Sequence, residues 1–301
     1  MDPGAILERF LDAPRVAYLR AVLDTYGRAP GGLLANGLAF AALFATVPIA
    51  LVMLGVAGLL LDDPAVQAQL AEAIGDLFPP LRDLVAGALV ALSDGAAVTS
   101  IVGIVALVWT VSQFYVTLDI AFSRIFTERL ERDFVRRNAR GFLSVAGLGG
   151  LILVLVVAGT LAAAAETLLP GTSAPIAAVT RLVTSLPVIA GLGAIFVLVV
   201  YRTVPPEAPT WQAAWLPAAV AGVSIVLLSQ LFLFVAPRLV GAAAFAGSLA
   251  SAFIALAWLS FTFQILLYGA AWVRVRDDRA AAARSALASP ATPTEPGGGG
   301  E

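Results

Sequence analysis

The stretch GLAFAALFATVPIALVMLGVAGLLL, from Gly37 to Leu61, contains no charged side chain. About 20 consecutive apolar residues are enough for a helix to cross the hydrocarbon core of a bilayer. Lipid offers no water to backbone groups, so a spanning segment must be a helix or a strand of a closed barrel. The uninterrupted run favours a helix, because barrel strands alternate over segments of about ten residues. Pro48 removes one helical hydrogen bond and predicts a bend in the middle of this helix.

Composition extends this prediction to the whole chain. The 301 residues are 60% hydrophobic and 13% charged, whereas soluble domains are about 45–50% apolar and about 25% charged. We therefore predict an all-α polytopic membrane protein with six transmembrane helices in a domain at 34–273. The predicted spans cover residues 34–61, 97–120, 141–168, 176–201, 211–236 and 247–273.

Three further segments lie outside the predicted spans. Within the cytoplasmic segment 1–33, residues 4–26 predict an amphipathic helix that either lies in the membrane interface or packs on the cytoplasmic loops. The first outer connection, 62–96, predicts two short helices that are separated by a double proline. The tail at 274–301 is predicted to be cytoplasmic and largely disordered, since its last residues are rich in proline and glycine.

The distribution of arginine predicts the orientation in the membrane. All 18 basic residues are arginine, and all but Arg82, Arg181 and Arg238 belong to the amino-terminal arm, the second and fourth connections or the tail. Basic loops stay on the cytoplasmic side. Both termini are therefore predicted to be cytoplasmic.

The chain contains no histidine, cysteine or lysine, which excludes several kinds of chemistry. Ser-His-Asp and Cys-His triads, thiolate metal sites and Schiff bases all require one of these residues. The carboxylates are not spaced like those of a calcium-binding loop. We therefore expect no catalytic residue, no metal, no cofactor, no nucleic-acid partner and no enzymatic activity.

Polar residues and prolines inside the spans are the candidate functional positions. Proline-interrupted helices are found at the central site of transporters, although many membrane helices tolerate proline without such a role. Polar side chains either line a cavity or form hydrogen bonds between helices. The candidates are Asn36, Pro48, Gln113, Asp119, Pro187, Gln230 and Gln264.

Charged and small residues give further candidates. Glu166 and Arg181 flank a short outer turn and form a candidate ion pair. A basic segment predicts contacts with anionic lipid head groups, about 1 kcal/mol per arginine, although its charge is also explained by orientation alone; its candidates are Arg136, Arg137 and Arg140. Small residues predict close helix packing, within one bundle or in a homo-oligomer. They include Gly191, Gly193, Ala218 and Gly222.

Four segments resemble one known family. ANGLAFAALFATVP (35–48), LDIAFSRIF (118–126), YRTVPPEAPTWQAAWLPAAVAG (201–222) and GSLASAFIALAWLSFTFQILLYGAAW (247–272) are similar, in order and spacing, to segments of the YihY/BrkB membrane proteins. The resemblance implies a bacterial inner-membrane protein with six helices and both ends in the cytoplasm. It implies no settled activity, since members have been labelled ribonuclease BN or linked to serum resistance. Two positions depart from the family pattern, because Ala271 stands where an acid is common and Ala246 where an aromatic is common.

Two functional hypotheses remain open from the sequence. The first is a transporter or channel-like protein for a small solute or a lipid. The second is a non-catalytic scaffold or envelope-maintenance protein that acts through partners or anionic lipids. A ribonuclease is disfavoured, because the general acid–base cleavage of RNA most often uses histidine. The expected partners are membrane lipids, an unknown solute and a second copy of the chain.

Overall fold

The computed structural model describes residues 14–60, 96–126, 185–242 and 248–288. Every regular element in these four ranges is an α-helix. The helices are α1 (Pro14–Arg28), α2 (Gly31–Leu60), α3 (Ala96–Phe126), α4 (Leu186–Thr203), α5 (Trp211–Ala242) and α6 (Ser248–Ala288). The predicted outer helices at 62–96 and the predicted third span at 141–168 lie outside the described residues. The prediction of an all-helical chain is confirmed for the residues that are described.

Helices α2 and α3 match the first two predicted spans closely. Helix α2 begins at Gly31 and continues through Pro48 to Leu60, so the proline lies within the helix and does not end it. The bend at this position stays a prediction. Helix α3 ends at Phe126, beyond the predicted end at residue 120, because a helix does not stop where its apolar run stops. Arg124 in its last turn interacts favourably with the helix dipole.

The structure describes the fourth predicted span from Ser185 onward, and residues 176–184 lie outside the described residues. Helix α4 begins at Leu186, ten residues after the predicted start at residue 176. Ser185 is extended, with φ −67° and ψ 140°, and its carbonyl accepts the first helical hydrogen bond from the Ile189 N–H at 3.0 Å. Pro187 therefore lies in the first turn of the helix, where its missing N–H has no helical partner to lose. The break predicted at Pro187 stays a prediction, because residues 176–184 lie outside the described residues.

Helix α6 extends beyond the predicted end of the last span. It has 41 residues and ends at Ala288, so the first part of the predicted tail is helical, while the proline- and glycine-rich residues for which disorder was predicted lie outside the described residues. Arg274 and Asp278 form an i,i+4 ion pair at 2.9 Å, and the residues that follow are rich in alanine, the strongest helix former. The apolar run ends near residue 273, but the helix continues through the charged residues that follow.

Helix α6 is the central element and contacts each of the other five helices. The α4–α5 pair packs on one part of it and the α2–α3 pair on another. Residues Phe126, Thr203, Trp211 and Arg274 lie at one end of this bundle, which we call the arginine-rich end. Helices α2 and α5 run away from the arginine-rich end, and α3, α4 and α6 run towards it.

Helix α1 packs beside the end of α6. The rings of Tyr26 and Tyr268 are stacked with their centroids 3.7 Å apart. The indole Nε1 of Trp272 donates a 2.7 Å hydrogen bond to the hydroxyl of Tyr18. Burial, and to a smaller extent the neighbouring Tyr268, raises the pKa of Tyr26 to about 12. These contacts show that α1 packs against α6, a partner that neither alternative from the sequence named.

Three of the helices contain segments that are long and apolar enough to cross a membrane, Leu186–Thr203, Trp211–Ala236 and Ala252–Leu287. A shorter apolar helical segment covers Gly31–Ala45. Large apolar side chains such as Leu227, Phe234 and Phe253 are exposed on their outer faces. Soluble monomers rarely expose contiguous apolar surface of this kind, so the outer face of the bundle fits hydrocarbon and not water.

Small residues bring α4 and α5 into close contact. A Cβ atom on Gly222 would lie 2.5 Å from the backbone N and Cα of Ala194. Ala218, one turn earlier, is fully buried, and a Cβ on Gly193 would lie 3.5 Å from the Gly222 carbonyl oxygen. The predicted packing role is confirmed for these residues. Around the Cβ position of Gly191, no atom of the described residues lies within 4 Å, so its packing role stays a prediction.

Candidate functional site

A hydrogen-bonded group of uncharged side chains joins α2 to α6. The Ser260 hydroxyl donates to the Oδ1 atom of Asn36, and the Gln264 Nε2 atom donates to the Ser260 oxygen at 3.2 Å. We call Asn36, Ser260 and Gln264 the polar cluster. It brings together two of the candidates that the sequence predicted, through a serine that the sequence analysis did not select.

The polar cluster has donors and an acceptor for a further partner. The amide nitrogen of Asn36 carries two N–H groups and the Gln264 amide has its own carbonyl oxygen. Asn36 is exposed and the other two side chains are half-buried. Since all three side chains are neutral, the cluster suits groups that exchange hydrogen bonds without a net charge.

The other predicted polar residues are placed differently. Gln113 on α3 and Gln230 on α5 are exposed, and among the described residues neither is hydrogen-bonded to the polar cluster. Asp119 is only 3% exposed and lies one turn before the equally buried Ser123, near the end of α3. Asp119 is thus part of the packed interior. Ala271 is fully buried, so an acid at this position would have placed a carboxyl group in the core.

Several predicted residues lie outside the part of the chain that the structure describes. They are Arg136, Arg137, Arg140, Glu166, Arg181 and Ala246. The lipid contacts and the outer ion pair proposed for them therefore stay predictions.

A second polar group closes the arginine-rich end of the bundle. Arg274 on α6 donates to the backbone oxygen of Phe126 in the last turn of α3. Arg276 donates to the backbone oxygen of Gln212 in the first turn of α5 at 2.9 Å. The last turns of a helix have carbonyl groups without helical partners, and Arg274 satisfies one of them. One segment of α6 therefore fixes the ends of two other helices.

Asp277 holds the start of α5. Its Oδ1 atom accepts hydrogen bonds from the Thr210 N–H at 3.1 Å and from the Thr210 hydroxyl at 2.8 Å. Thr210 directly precedes the helix, and its carbonyl accepts hydrogen bonds from Ala213 and Ala214. A carboxylate at this place is favoured by the partial positive charge of the helix N-terminus.

The sequence analysis missed this second group for a simple reason. The segment RVRDDR, at 274–279, was placed in the cytoplasmic tail, so no partners were assigned to its charges. A cluster of three arginines and two aspartates directly after a span was the available signal. The helical backbone is what places these side chains against α3 and α5.

No group of three or more His, Cys, Asp or Glu residues that could hold a metal ion occurs within residues 14–60, 96–126, 185–242 and 248–288. The two polar groups offer hydrogen bonds and fixed charges. The long apolar helices around them, with their exposed apolar faces, define an integral membrane protein.

The family follows from comparison of the whole sequence. A family model described as virulence factor BrkB matches residues 22–293, so the chain belongs to the BrkB family, as the four sequence segments predicted. Comparison with curated proteins gives no match, and comparison with solved structures gives none either.

Proposed function

We propose that the protein is a six-span transporter or channel-like protein of the bacterial inner membrane, and that the polar cluster is part of its path for a small solute or lipid. The observation that carries the proposal is the hydrogen-bonded contact of Asn36 and Ser260 between two apolar helices. Placing a polar side chain inside a membrane costs free energy, so such residues are rare there and often lie along the path of a substrate.

The position of the polar cluster supports this role. Asn36 lies five residues after the start of α2 and Gln264 lies ten residues before Arg274. At about 1.5 Å per residue, the cluster is roughly 8–15 Å from the arginine-rich end. A polar group at this depth is within reach of a solute that enters from that end.

The directions of the helices support the six-span arrangement. Phe126 lies at the arginine-rich end, and Ser185, at the start of α4, lies at the other. The span predicted at 141–168 lies outside the described residues and would supply the crossing that joins them. Arg28, Arg124, Arg202 and Arg274 all belong to one end, and the rule that basic segments stay inside favours the cytoplasm for that end and for both termini.

The same proposal treats the chain as a protein without enzymatic activity. It rests on the absence of histidine, cysteine and lysine from all 301 residues. The family label of ribonuclease is therefore not carried over to this chain.

A reconstitution experiment tests the proposal. Purified protein is placed in liposomes, and the flux of a polyol series (glycerol, arabitol, sorbitol) is measured by light scattering. A dithionite assay with a fluorescent phospholipid measures lipid movement in the same vesicles. We expect flux of one class, and we expect Asn36→Leu and Gln264→Leu to lower it at least tenfold, because each removes hydrogen bonds worth about 1 kcal/mol or more with the solute.

Gln230→Leu is the matched control, since Gln230 is an exposed amide on another helix and outside the polar cluster. It should keep the wild-type flux. Wild-type flux in the Asn36 and Gln264 variants would contradict the assignment of the site. No flux of either probe from correctly folded protein would favour the scaffold hypothesis instead.

A further inference from the structure

Two exposed tryptophans lie at the beginning of α5. Trp211 and Trp215 are one helical turn apart and keep 61% and 53% of their surface exposed. Trp211 is also the first residue of the apolar segment Trp211–Ala236. Tryptophan is enriched where a membrane helix meets the interface, because its ring is apolar and its N–H is polar. The pair therefore lies at the level expected for lipid head groups.

Two arginines from other helices flank this pair. The guanidinium of Arg202 lies over the Trp211 ring, 4.7 Å from its centroid, and donates to the backbone oxygen of Pro209. Arg276 donates to the Gln212 carbonyl oxygen at 2.9 Å. At 3.6 residues per turn, Trp215 lies about 40° from Trp211 and about 60° from Gln212 around the helix. Viewed along the axis of α5, Trp215 thus lies between Trp211, which Arg202 contacts, and Gln212, which Arg276 contacts.

The two guanidinium groups have donors left for an anion. Each carries five N–H groups, and the contacts to Pro209 and Gln212 use one from each side chain. The planar fork of donors suits the oxygens of a phosphate.

Three acids lie near these arginines in the sequence. Asp277 is held at the start of α5, Asp278 is paired with another arginine of α6, and Glu207 lies in the connection between α4 and α5. Among the described residues, none of these acids forms a hydrogen bond or an ion pair with Arg202 or Arg276. The remaining N–H groups of both guanidiniums can therefore bind an anion without a competing acid.

We propose that Arg202 and Arg276 bind the phosphate of a phospholipid in the leaflet at the arginine-rich end, with its acyl chains against Trp211 and Trp215. The adjacent indole rings favour a phosphate that carries acyl chains over a free phosphate ion. The proposal does not depend on transport, because it concerns the outer edge of the α4–α5 pair and not the polar cluster.

Native mass spectrometry of the purified full chain in detergent tests the proposal. The protein is titrated separately with dioleoylphosphatidylglycerol, with dioleoylglycerol, which has no phosphate, and with inorganic phosphate. An arginine near a charged membrane surface contributes about 1 kcal/mol, which is about fivefold in affinity. The double variant Arg202→Gln/Arg276→Gln should therefore bind the phospholipid about 25-fold more weakly.

Arg238→Gln is the matched control. Arg238 lies on α5, at the end opposite to Trp211 and Trp215, with its guanidinium 3.6 Å from the centroid of the Phe234 ring. Its loss should change the affinity for the phospholipid less than twofold. The variant Arg202→Lys/Arg276→Lys keeps both charges and should retain most of the binding. An unchanged affinity in the folded double glutamine variant, or an equal loss in the control, would overturn the proposal.

The wild-type protein gives a second readout that does not depend on the variants. We expect it to bind dioleoylphosphatidylglycerol at least tenfold more tightly than dioleoylglycerol, and expect high salt to weaken that preference. Equal binding of the two lipids would overturn the phosphate assignment. Displacement of the phospholipid by millimolar inorganic phosphate would assign the site to a soluble anion and would also overturn it.

Discussion

Replacing Gly222 by alanine is expected to separate α4 from α5 and to give one of the largest losses of stability from a single methyl group in this protein. The new Cβ would lie 2.5 Å from the N and Cα atoms of Ala194 and 2.7 Å from the carbonyl carbon of Gly193. These are backbone atoms of a helix, so they cannot rotate away as a side chain can. Either the two helices move apart or the contact stays strained.

The expected cost is the difference of two effects. Alanine is favoured over glycine inside a helix by about 0.5–1 kcal/mol, whereas forcing an extra carbon into a packed interior costs about 1–3 kcal/mol and occasionally more. The steric effect is larger here because the contact is with backbone. We expect a net loss of about 2 kcal/mol, which lowers the midpoint of thermal unfolding in detergent by roughly 4–8 °C.

Gly191→Ala is the matched control on the facing helix. Within residues 14–60, 96–126, 185–242 and 248–288, nothing lies within 4 Å of the Cβ position of Gly191. Only the gain in helix propensity is therefore expected, and the midpoint should stay the same or rise slightly. Equal midpoints for Gly222→Ala and wild type would contradict the close packing of α4 on α5.

Replacing Gly269 by alanine is expected to disturb the contact between α4 and α6 in a way that a second substitution relieves. The Cβ of an alanine would lie 2.1 Å from the hydroxyl oxygen of Tyr201 and 3.2 Å from the Cβ of Ala221. Tyr201 is fully buried, and its hydroxyl donates a 2.7 Å hydrogen bond to the Leu266 carbonyl. Moving the tyrosine away therefore breaks this hydrogen bond inside the bundle.

A double-mutant cycle of Gly269→Ala and Tyr201→Phe measures how much of the cost comes from the contact between these two residues. Gly269→Ala alone should cost about 2 kcal/mol, from overpacking and a weakened hydrogen bond, measured as the loss of thermal stability in detergent. In the Tyr201→Phe background the 2.1 Å contact is gone, so the same substitution should cost about 1 kcal/mol less. Gly37→Ala should be neutral, since its Cβ would be 4.0 Å from Thr117. Strictly additive effects of the two changes would contradict the contact.

The sequence predicted the helices well where an apolar run has a sharp edge. The first span was expected at 34–61 and is found as Gly31–Leu60. The predicted ends of the helices were less accurate where the apolar run and the helix do not end at the same residue. Residues 176–185 are apolar enough to be counted in a span, yet Ser185 is extended. The charged run after residue 273 stays helical to Ala288 because its residues are good helix formers.

The site shows which information a sequence lacks. Asn36 and Gln264 were selected for their polarity inside spans, but their link through Ser260 depends on how α2 packs on α6. Spacing likewise identified Gly191 and Gly193 as equal candidates. Only the rotation of α4 relative to α5 distinguishes them, and that rotation is a property of the tertiary structure.

The central claim is that hydrocarbon surrounds these helices. The chain has no cysteine, so single cysteines can be introduced at Ser285 on the end of α6, at Leu227 in α5 and at Arg238 near the far end of α5, all of which are exposed. A membrane-impermeant maleimide is then applied to bacterial spheroplasts, intact or permeabilised. We expect Arg238→Cys to react in both states, Ser285→Cys to react only after permeabilisation, and Leu227→Cys to react in neither. Fast labelling of Leu227→Cys in native membranes would show that water covers this face and would contradict the account.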